Sequence, residues 1–307
     1  MSDIDLNLIL VAVLSSTVRL STPIVLGALG GIFSERSGVV NIAIEGLMLT
    51  AAFVGFLIGA STGNIWLGVV AAVATGALMA LLHGVLSIHL RVDQIISGTV
   101  INILAVGLTG YFYTSNVTLP GKLPSLPIPL LSEIPIVGPV LFDNPPITYL
   151  ALILVAVTHV VLYRTQWGLR LRAVGENPRA ADTVGVNVIA TRYANVMIGG
   201  ALAGLAGAFL SLEAVGSFER LMTNGRGFIA LAAMIFGNWN PIGAWAAALL
   251  FGFANALQSQ LQFLGLGSII PHQFIGLLPY VLTIVVLAGF VGRARPPAAV
   301  GQPYSKE

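Results

Sequence analysis

Long apolar runs recur along the chain and are separated by short polar segments. A helix of about 20 residues crosses the roughly 30 Å hydrocarbon layer of a bilayer. Only 8% of the 307 residues are charged and 56% are hydrophobic, whereas a soluble domain carries about 25% charged residues. We therefore expect an all-α polytopic membrane protein with about nine transmembrane helices, with eight or ten as alternatives. The nine runs are Leu6–Phe33, Val39–Gly59, Trp66–Ile88, Ile95–Thr114, Ile147–Tyr163, Ile189–Leu212, Gly227–Phe236, Ile242–Phe263 and Phe274–Val291.

The residue types present narrow the chemistry that the chain can perform. No cysteine occurs, which excludes a disulfide or a cysteine-based metal site. The four histidines are scattered without a metal-binding spacing, and the net charge of +2 provides no basic surface for nucleic acid. We therefore expect neither a metal site nor a nucleic-acid partner. The 35 glycines indicate close helix packing, and Gly200, Gly204 and Ala208 form a small-residue face typical of such contacts.

Two of the runs are irregular. Gly227–Phe236 covers only about 15 Å as a helix, and it ends at a break that runs from Gly237 to Pro241. We expect a broken or re-entrant helix there. The first run is long and contains Arg19 and Pro23, so it is either one tilted helix with the amino terminus outside or two short segments with that terminus inside.

The distribution of arginines predicts the orientation in the membrane, because cytoplasmic loops carry the excess of positive charge. Loop 115–146 contains one basic residue and eight prolines, so we expect it outside. We expect a transmembrane domain over 1–292, with loop 164–188 on the cytoplasmic side, and a cytoplasmic tail over 293–307. Five arginines place the loop after the fifth run inside: Arg164, Arg170, Arg172, Arg179 and Arg192.

The inside loop contains the signals of a short helix over Pro178–Val184. Asn177 is a good N-cap, Pro178 suits the first helical position, and Gly185 suits the residue after the last turn. A helix of two turns is not stable alone in water. It is therefore either a connector on the membrane surface or a docking element for a soluble partner.

Two segments carry a resemblance to a known family. Gly30–Leu49 (GGIFSERSGVVNIAIEGLML) and Gly175–Asn187 (GENPRAADTVGVN) resemble the permease subunits of bacterial ABC importers for ribose, branched-chain amino acids and nucleosides. The first segment is most similar to the nucleoside branch. The resemblance implies an ABC importer permease fold in the inner membrane, with the short helix as the ATPase-coupling element. The residues that it assigns to coupling are Gly175, Glu176, Asn177, Pro178, Ala180, Ala181 and Gly185.

The resemblance also implies the function and the partners. The expected solute is small and hydrophilic, with nucleosides first and a monosaccharide or branched-chain amino acid as the alternative. The expected partners are ABC ATPase subunits, which bind ATP and Mg²⁺, a second homologous permease, an extracytoplasmic solute-binding protein and membrane lipid. We expect no cofactor and no enzyme activity in this chain, because neither Lys122 nor Lys306 lies in a GxxxxGK[ST] loop. A proton-driven secondary transporter is the alternative from another class.

Polar residues inside the apolar runs are candidates for the translocation path, because such groups are costly in a membrane. Ser37, Asn41 and Glu45 recur every fourth residue, which predicts that they share one helix face. The alternative role is a hydrogen-bonded lock between helices. We further expect the break to leave backbone groups unpaired at membrane depth, beside the same path as Glu45. The path residues predicted in this way are Ser37, Asn41, Glu45, Asn102, Asn238 and Asn240.

Overall fold

The computed structural model describes residues 6–114, 117–263, 274, 277, 281 and 294–305. Among these residues the fold is helical apart from two paired two-residue strands, β1 (Leu126–Pro127) and β2 (Asp143–Asn144), in the loop between α4 and α6. The helices are α1 (Leu6–Arg36), α2 (Ile44–Thr62), α3 (Ile65–Gly84), α4 (Gln94–Phe112), α5 (Val137–Leu141), α6 (Pro146–Arg164), α7 (Gln166–Glu176), α8 (Pro178–Thr183), α9 (Val188–Ala208), α10 (Arg226–Phe236) and α11 (Pro241–Phe263). Short π-helical segments extend α3 over Val85–His89 and α9 over Phe209–Val215.

Seven helices in the described part of the chain are long and apolar enough to cross a membrane: α1, α2, α3, α4, α6, α9 and α11. Together with the shorter α10, they account for the first eight apolar runs. The ninth run, Phe274–Val291, lies outside the described residues apart from three isolated positions. The expectation of a polytopic all-α membrane protein is confirmed.

The first run forms one continuous helix, so the alternative of two short segments is wrong. Helix α1 passes through Pro23 without a break, and the hydroxyl group of Thr22 donates to the carbonyl oxygen of Val18 at 2.9 Å. Arg19 donates to the side chain of Asn144 and to the carbonyl oxygen of Asp143. Its charge is therefore directed towards the loop between α4 and α6 instead of the hydrocarbon layer.

Glycines allow the central helices to approach at backbone distance. A Cβ atom added to Gly30 in α1 would lie 2.5 Å from the carbonyl oxygen of Gly199 in α9. A Cβ added to Gly76 in α3 would collide with the backbone of Gly200 and Gly204 in α9. The predicted small-residue face on α9 is therefore a packing surface. In keeping with this close packing, 83% of the apolar stretch of α9 is buried inside the protein.

The seventh run is the short helix that the sequence predicts. After α9 and its π-helical segment end at Val215, the chain turns back and α10 begins at Arg226. Gly27 and Gly31 of α1 pack against Ala230 and Met234 of α10. The two helices therefore run in the same direction, and α10 accompanies only the second half of α1.

Helices α7 and α8 lie at the end of the molecule where α1 ends, which the arginine distribution predicts to be cytoplasmic. Helix α8 is one residue shorter than predicted, whereas α7 was not predicted. Helix α7 begins with Thr165 as its N-cap, whose hydroxyl group accepts from the N–H of Gly168 at 3.1 Å. Residues 294–305 lie against the same end of the fold. We call this region the docking end.

Candidate docking surface and translocation path

Helix α8 has the caps that its sequence predicts. The side chain of Asn177 accepts from the N–H of Ala180 at 3.1 Å, and Pro178 occupies the first turn. Gly185 follows the helix with φ of +84°, a conformation that favours glycine. The N–H of Val186 then bonds to the carbonyl oxygen of Ala181 at 3.0 Å. The helix is thus fixed at both ends.

One face of α8 is buried and the other is exposed. Ala181 is 3% exposed and packs with Val174 and Val188, so it supports the helix from behind and does not present a surface to a partner. Val184 at the end of the helix is 78% exposed. The outward face of α8, which we call the docking face, consists of Arg179, Ala180, Thr183 and Val184.

The other predicted coupling residues join α8 to the membrane helices. Gly175 is buried, and a Cβ atom there would collide with the carbonyl oxygen of Arg36 at the end of α1. Its own carbonyl oxygen accepts from the N–H of Ala299 at 2.9 Å. The carboxylate of Glu176 accepts from the N–H of Ala298 at 3.3 Å. These two residues therefore bond within the chain, to the C-terminal residues 298 and 299.

Ser37 and Asn41 do not lie on a helix, so the prediction that they share a helical face with Glu45 is wrong. Helix α1 ends at Arg36 and α2 begins at Ile44, because Gly38 takes a φ of +93° that no helix contains. We call residues 37–43 the α1–α2 connection. Ser37 and Asn41 are both fully buried, and both bond to Ser34, at 2.7 and 3.2 Å.

The α1–α2 connection is not helical, so some of its backbone groups have no helical hydrogen bond. Side chains of α4 bond to these groups instead. The side-chain oxygen of Gln94 accepts from the N–H of Val40 at 2.7 Å. Asn102 accepts from the N–H of Gly46 at 2.8 Å and donates to the carbonyl oxygen of Ile42 at 3.0 Å. Asn102 is therefore engaged in the helix-to-helix lock that the sequence left as the alternative to a path role.

Glu45 links α2 to the start of α10. Its two carboxylate oxygens accept from the N–H groups of Gly225 at 2.8 Å and Gly227 at 2.6 Å. The N-cap residue of α10 is Gly225, which has no side chain to satisfy these donors. A Cβ added to Gly227 would lie 2.5 Å from the Cα atom of Glu45. Glu45 thus caps α10 from another helix, where a negative charge complements the helix dipole.

The backbone groups of the break after α10 are hydrogen-bonded at the docking end, so the expectation of unpaired backbone groups is wrong. The N–H of Trp239 bonds to the carbonyl oxygen of Met234 at 3.0 Å. Arg36 donates to the carbonyl oxygens of Asn238 and Trp239 at 3.3 and 3.1 Å. The side chain of Asn240 caps α11 by accepting from the N–H of Ile242 at 2.9 Å.

The predicted path residues therefore separate into two places. The 11 residues of α10 set Glu45 and Asn238 about 16 Å apart along the helix axis. Glu45 lies beside the beginning of α10, within the membrane part of the fold, whereas Asn238 and Asn240 lie at the docking end. Glu45 and Asn238 therefore do not meet at one point, and that both features face one path across the membrane stays a prediction.

A cavity of about 970 Å³ lies on the opposite side of the α10 start from the docking end. Its walls come from the first half of α1, the loop between α4 and α6, the π-helical segment after α9 and the loop before α10. Asn224 and Arg226 line it on either side of Gly225, so the cavity lies beside the start of α10. Its charged lining residues are Arg19, Lys122, Glu213, Glu219, Arg220 and Arg226.

Sequence reasoning missed this cavity, because its charged residues come from four separate segments with no common spacing. Part of the charge has a structural role: the carboxylate of Glu213 accepts from the N–H groups of Ile147 and Thr148 and from the Thr148 hydroxyl group. Glu213 thereby caps α6. The exposed Lys122 and Arg220 leave basic groups on the cavity wall.

Comparison with known proteins gives one family and several relatives. The family described as branched-chain amino acid transport system / permease component matches residues 13–287. The guanosine ABC transporter permease protein NupQ of Bacillus subtilis is 43% identical over 98% of this chain and 99% of its own length. The nucleoside ABC transporter permease protein NupC of Lactococcus lactis is 42% identical over 93% and 94%. The putative glucose ABC transporter permease protein TsgC13 of Haloferax volcanii is 38% identical over 96% and 97%. No solved structure matches the chain.

Proposed function

The chain belongs to the family of branched-chain amino acid transport permease components, and on that basis we propose that it is the membrane-spanning subunit of an ATP-driven nucleoside importer. The observation that carries this proposal is the identity of 43% and 42% to two permeases named for guanosine and nucleosides, across nearly the whole chain. A monosaccharide is the second candidate solute, because the relative named for glucose is 38% identical over a similar length.

The docking end supports a role for a separate ATPase subunit, which would hydrolyse ATP while this chain spans the membrane. The exposed face of α8 offers a small, capped helix to an ATPase subunit, which would bind ATP and Mg²⁺. One chain supplies one such helix, whereas an ABC motor closes two nucleotide sites between two ATPase domains. We therefore propose a second, homologous permease as the partner in the membrane. The basic residues of the docking end support its placement on the cytoplasmic side of a bacterial inner membrane, together with the carboxyl terminus.

The cavity supports a path for the solute on the other side. Its volume of about 970 Å³ lies within the range of small-molecule sites, roughly 300–1,000 Å³. A solute-binding protein would deliver the nucleoside to this side, and the solute would pass the contact between Glu45 and α10. Both oxygens of Glu45 accept from backbone N–H groups at the start of α10. These bonds support a structural role for the carboxylate and so disfavour the proton-driven alternative.

The test is ATP-dependent uptake by the reconstituted importer. The chain is combined in proteoliposomes with its partner permease, ATPase and solute-binding protein. Labelled guanosine and labelled glucose are then supplied in separate experiments. We expect guanosine uptake that requires hydrolysable ATP and stops with a non-hydrolysable analogue. Uptake of glucose alone would favour the second candidate. Uptake driven by an imposed proton gradient without ATP would overturn the assignment to an ATP-driven importer.

A further inference from the structure

The segment at 294–305, which we call the C-terminal segment, bonds in turn to several separate elements of the docking end. Its backbone contacts connect the break after α10, the end of α7 and the α1–α2 connection. Four N–H groups make these bonds: Arg295 to the side chain of Asn238 at 3.0 Å, Ala298 to Glu176 at 3.3 Å, Ala299 to the carbonyl oxygen of Gly175 at 2.9 Å, and Gly301 to that of Gly38 at 3.2 Å. The segment therefore has one defined course across this end.

A buried guanidinium group joins the C-terminal segment to the core. Arg192 in α9 is 1% exposed, and it donates to the carbonyl oxygens of Ser37 at 3.2 Å and Gln302 at 3.0 Å. A Cβ atom added to Gly38 would lie 2.7 Å from this guanidinium group, so glycine leaves the space that the charge occupies. A buried charge is costly without hydrogen-bond partners; the two carbonyl groups bind Nε and Nη1, whereas Nη2 has no partner among the described residues. The carbonyl of Gln302 is therefore part of the environment that allows Arg192 to be buried.

The end of the C-terminal segment supports α8. Tyr304 packs against the apolar cluster of Val174, Ala181 and Val188, which lies behind the docking face. Its hydroxyl group is hydrogen-bonded to Asp182 of α8. Desolvation, followed by this bond, raises the pKa of Tyr304, so the hydroxyl group keeps its proton and remains the donor.

We propose that the C-terminal segment supports the ATPase-docking surface from its inner side, and that Tyr304 is the residue that positions α8 for the ATPase. A helix of six residues has too few internal hydrogen bonds to be stable alone, and Tyr304 supplies both packing and a hydrogen bond on its inner side. The same segment reaches the α1–α2 connection, which leads to Glu45, and the break that follows α10. Movement of α8 is thereby linked to both ends of α10. This inference rests on the proposed function, since it presumes that an ATPase docks at α8.

The test compares Tyr304→Ala with two matched variants of the complete importer. Tyr304→Phe keeps the ring and removes the donor, whereas Gln302→Ala removes a side chain and keeps the carbonyl group that Arg192 binds. The measurements are guanosine uptake and ATPase rate per folded complex, and amide hydrogen exchange of residues 178–186. We expect Tyr304→Ala to lower uptake about tenfold, as for loss of an aromatic anchor, and to speed exchange in α8. Tyr304→Phe should have an intermediate effect and Gln302→Ala none.

Three outcomes would overturn the inference. Uptake per folded complex could be unchanged in Tyr304→Ala, the loss could follow the amount of folded protein alone, or exchange in α8 could be unaffected. Measurements on the unaltered importer distinguish failure of this inference from failure of the proposed function. If the unaltered importer shows no ATP-driven uptake, the proposed function fails, and exchange in α8 still reports whether Tyr304 holds the helix.

Discussion

The contact between Glu45 and α10 predicts a large effect from a small change. In Glu45→Gln one acceptor oxygen becomes an NH₂ group that faces a backbone N–H, either that of Gly225 or that of Gly227. Leaving such a donor unsatisfied costs about 1–3 kcal/mol, which corresponds to a change of roughly 5- to 150-fold in the equilibrium for opening this contact. Glu45→Leu removes both acceptors, so we expect about twice that free energy.

Amide hydrogen exchange over residues 225–236 measures this opening directly, because exchange requires the N–H groups to separate from their acceptors. The matched control is Glu219→Gln, which makes the same chemical change at an exposed residue of the loop before α10. We expect faster exchange in Glu45→Gln and faster exchange still in Glu45→Leu. The control should exchange at the rate of the unaltered protein. If the Glu45→Gln protein exchanged at the rate of the control, the carboxylate would not be the cap of α10.

Three further substitutions test other contacts of the fold. Ala180→Glu on the exposed face of α8 should abolish co-purification of the ATPase while the membrane part stays folded; normal ATPase binding would contradict the docking assignment. Gly76→Ala places a Cβ against the backbone of Gly200, and overpacking of about 1–3 kcal/mol should lower the thermal unfolding temperature. An unchanged temperature would mean that α3 and α9 are not in backbone contact. Glu213→Gln should destabilise the start of α6 by about 1–3 kcal/mol; in a double-mutant cycle with Thr148→Val the two effects should not add, and strict additivity would disprove the contact.

The sequence predicted features that depend on neighbouring residues along the chain. The membrane helices follow from hydropathy over about 20 residues, and the caps of α8 follow from Asn177, Pro178 and Gly185. Helix α10 was recognised as short because its run of apolar residues is too brief to span a bilayer. In each case a local physical signal was sufficient.

The site could not be predicted in the same way, because its contacts join distant residues. The four-residue spacing of Ser37, Asn41 and Glu45 indicated a helix, but the chain turns at Gly38 and only Glu45 is helical. The bond from Gly225 to Glu45 spans 180 residues, and no single sequence reveals such a pairing. Arg36 likewise satisfies carbonyl groups of the break from the end of α1, which sequence reasoning had left unpaired.

The hydrogen bonds at the two ends of α10 determine which substitutions can alter its position. The groups that hold its two ends are backbone N–H and carbonyl groups, which remain in place when side chains are replaced. A systematic substitution scan through α10 would therefore detect limits on residue size and miss the hydrogen bonds. Those bonds are accessible through Glu45 and Arg36, 180 and 203 residues from the groups that they bind. Selection for altered transport should accordingly recover variants at these two positions, far in sequence from the helix whose position they control.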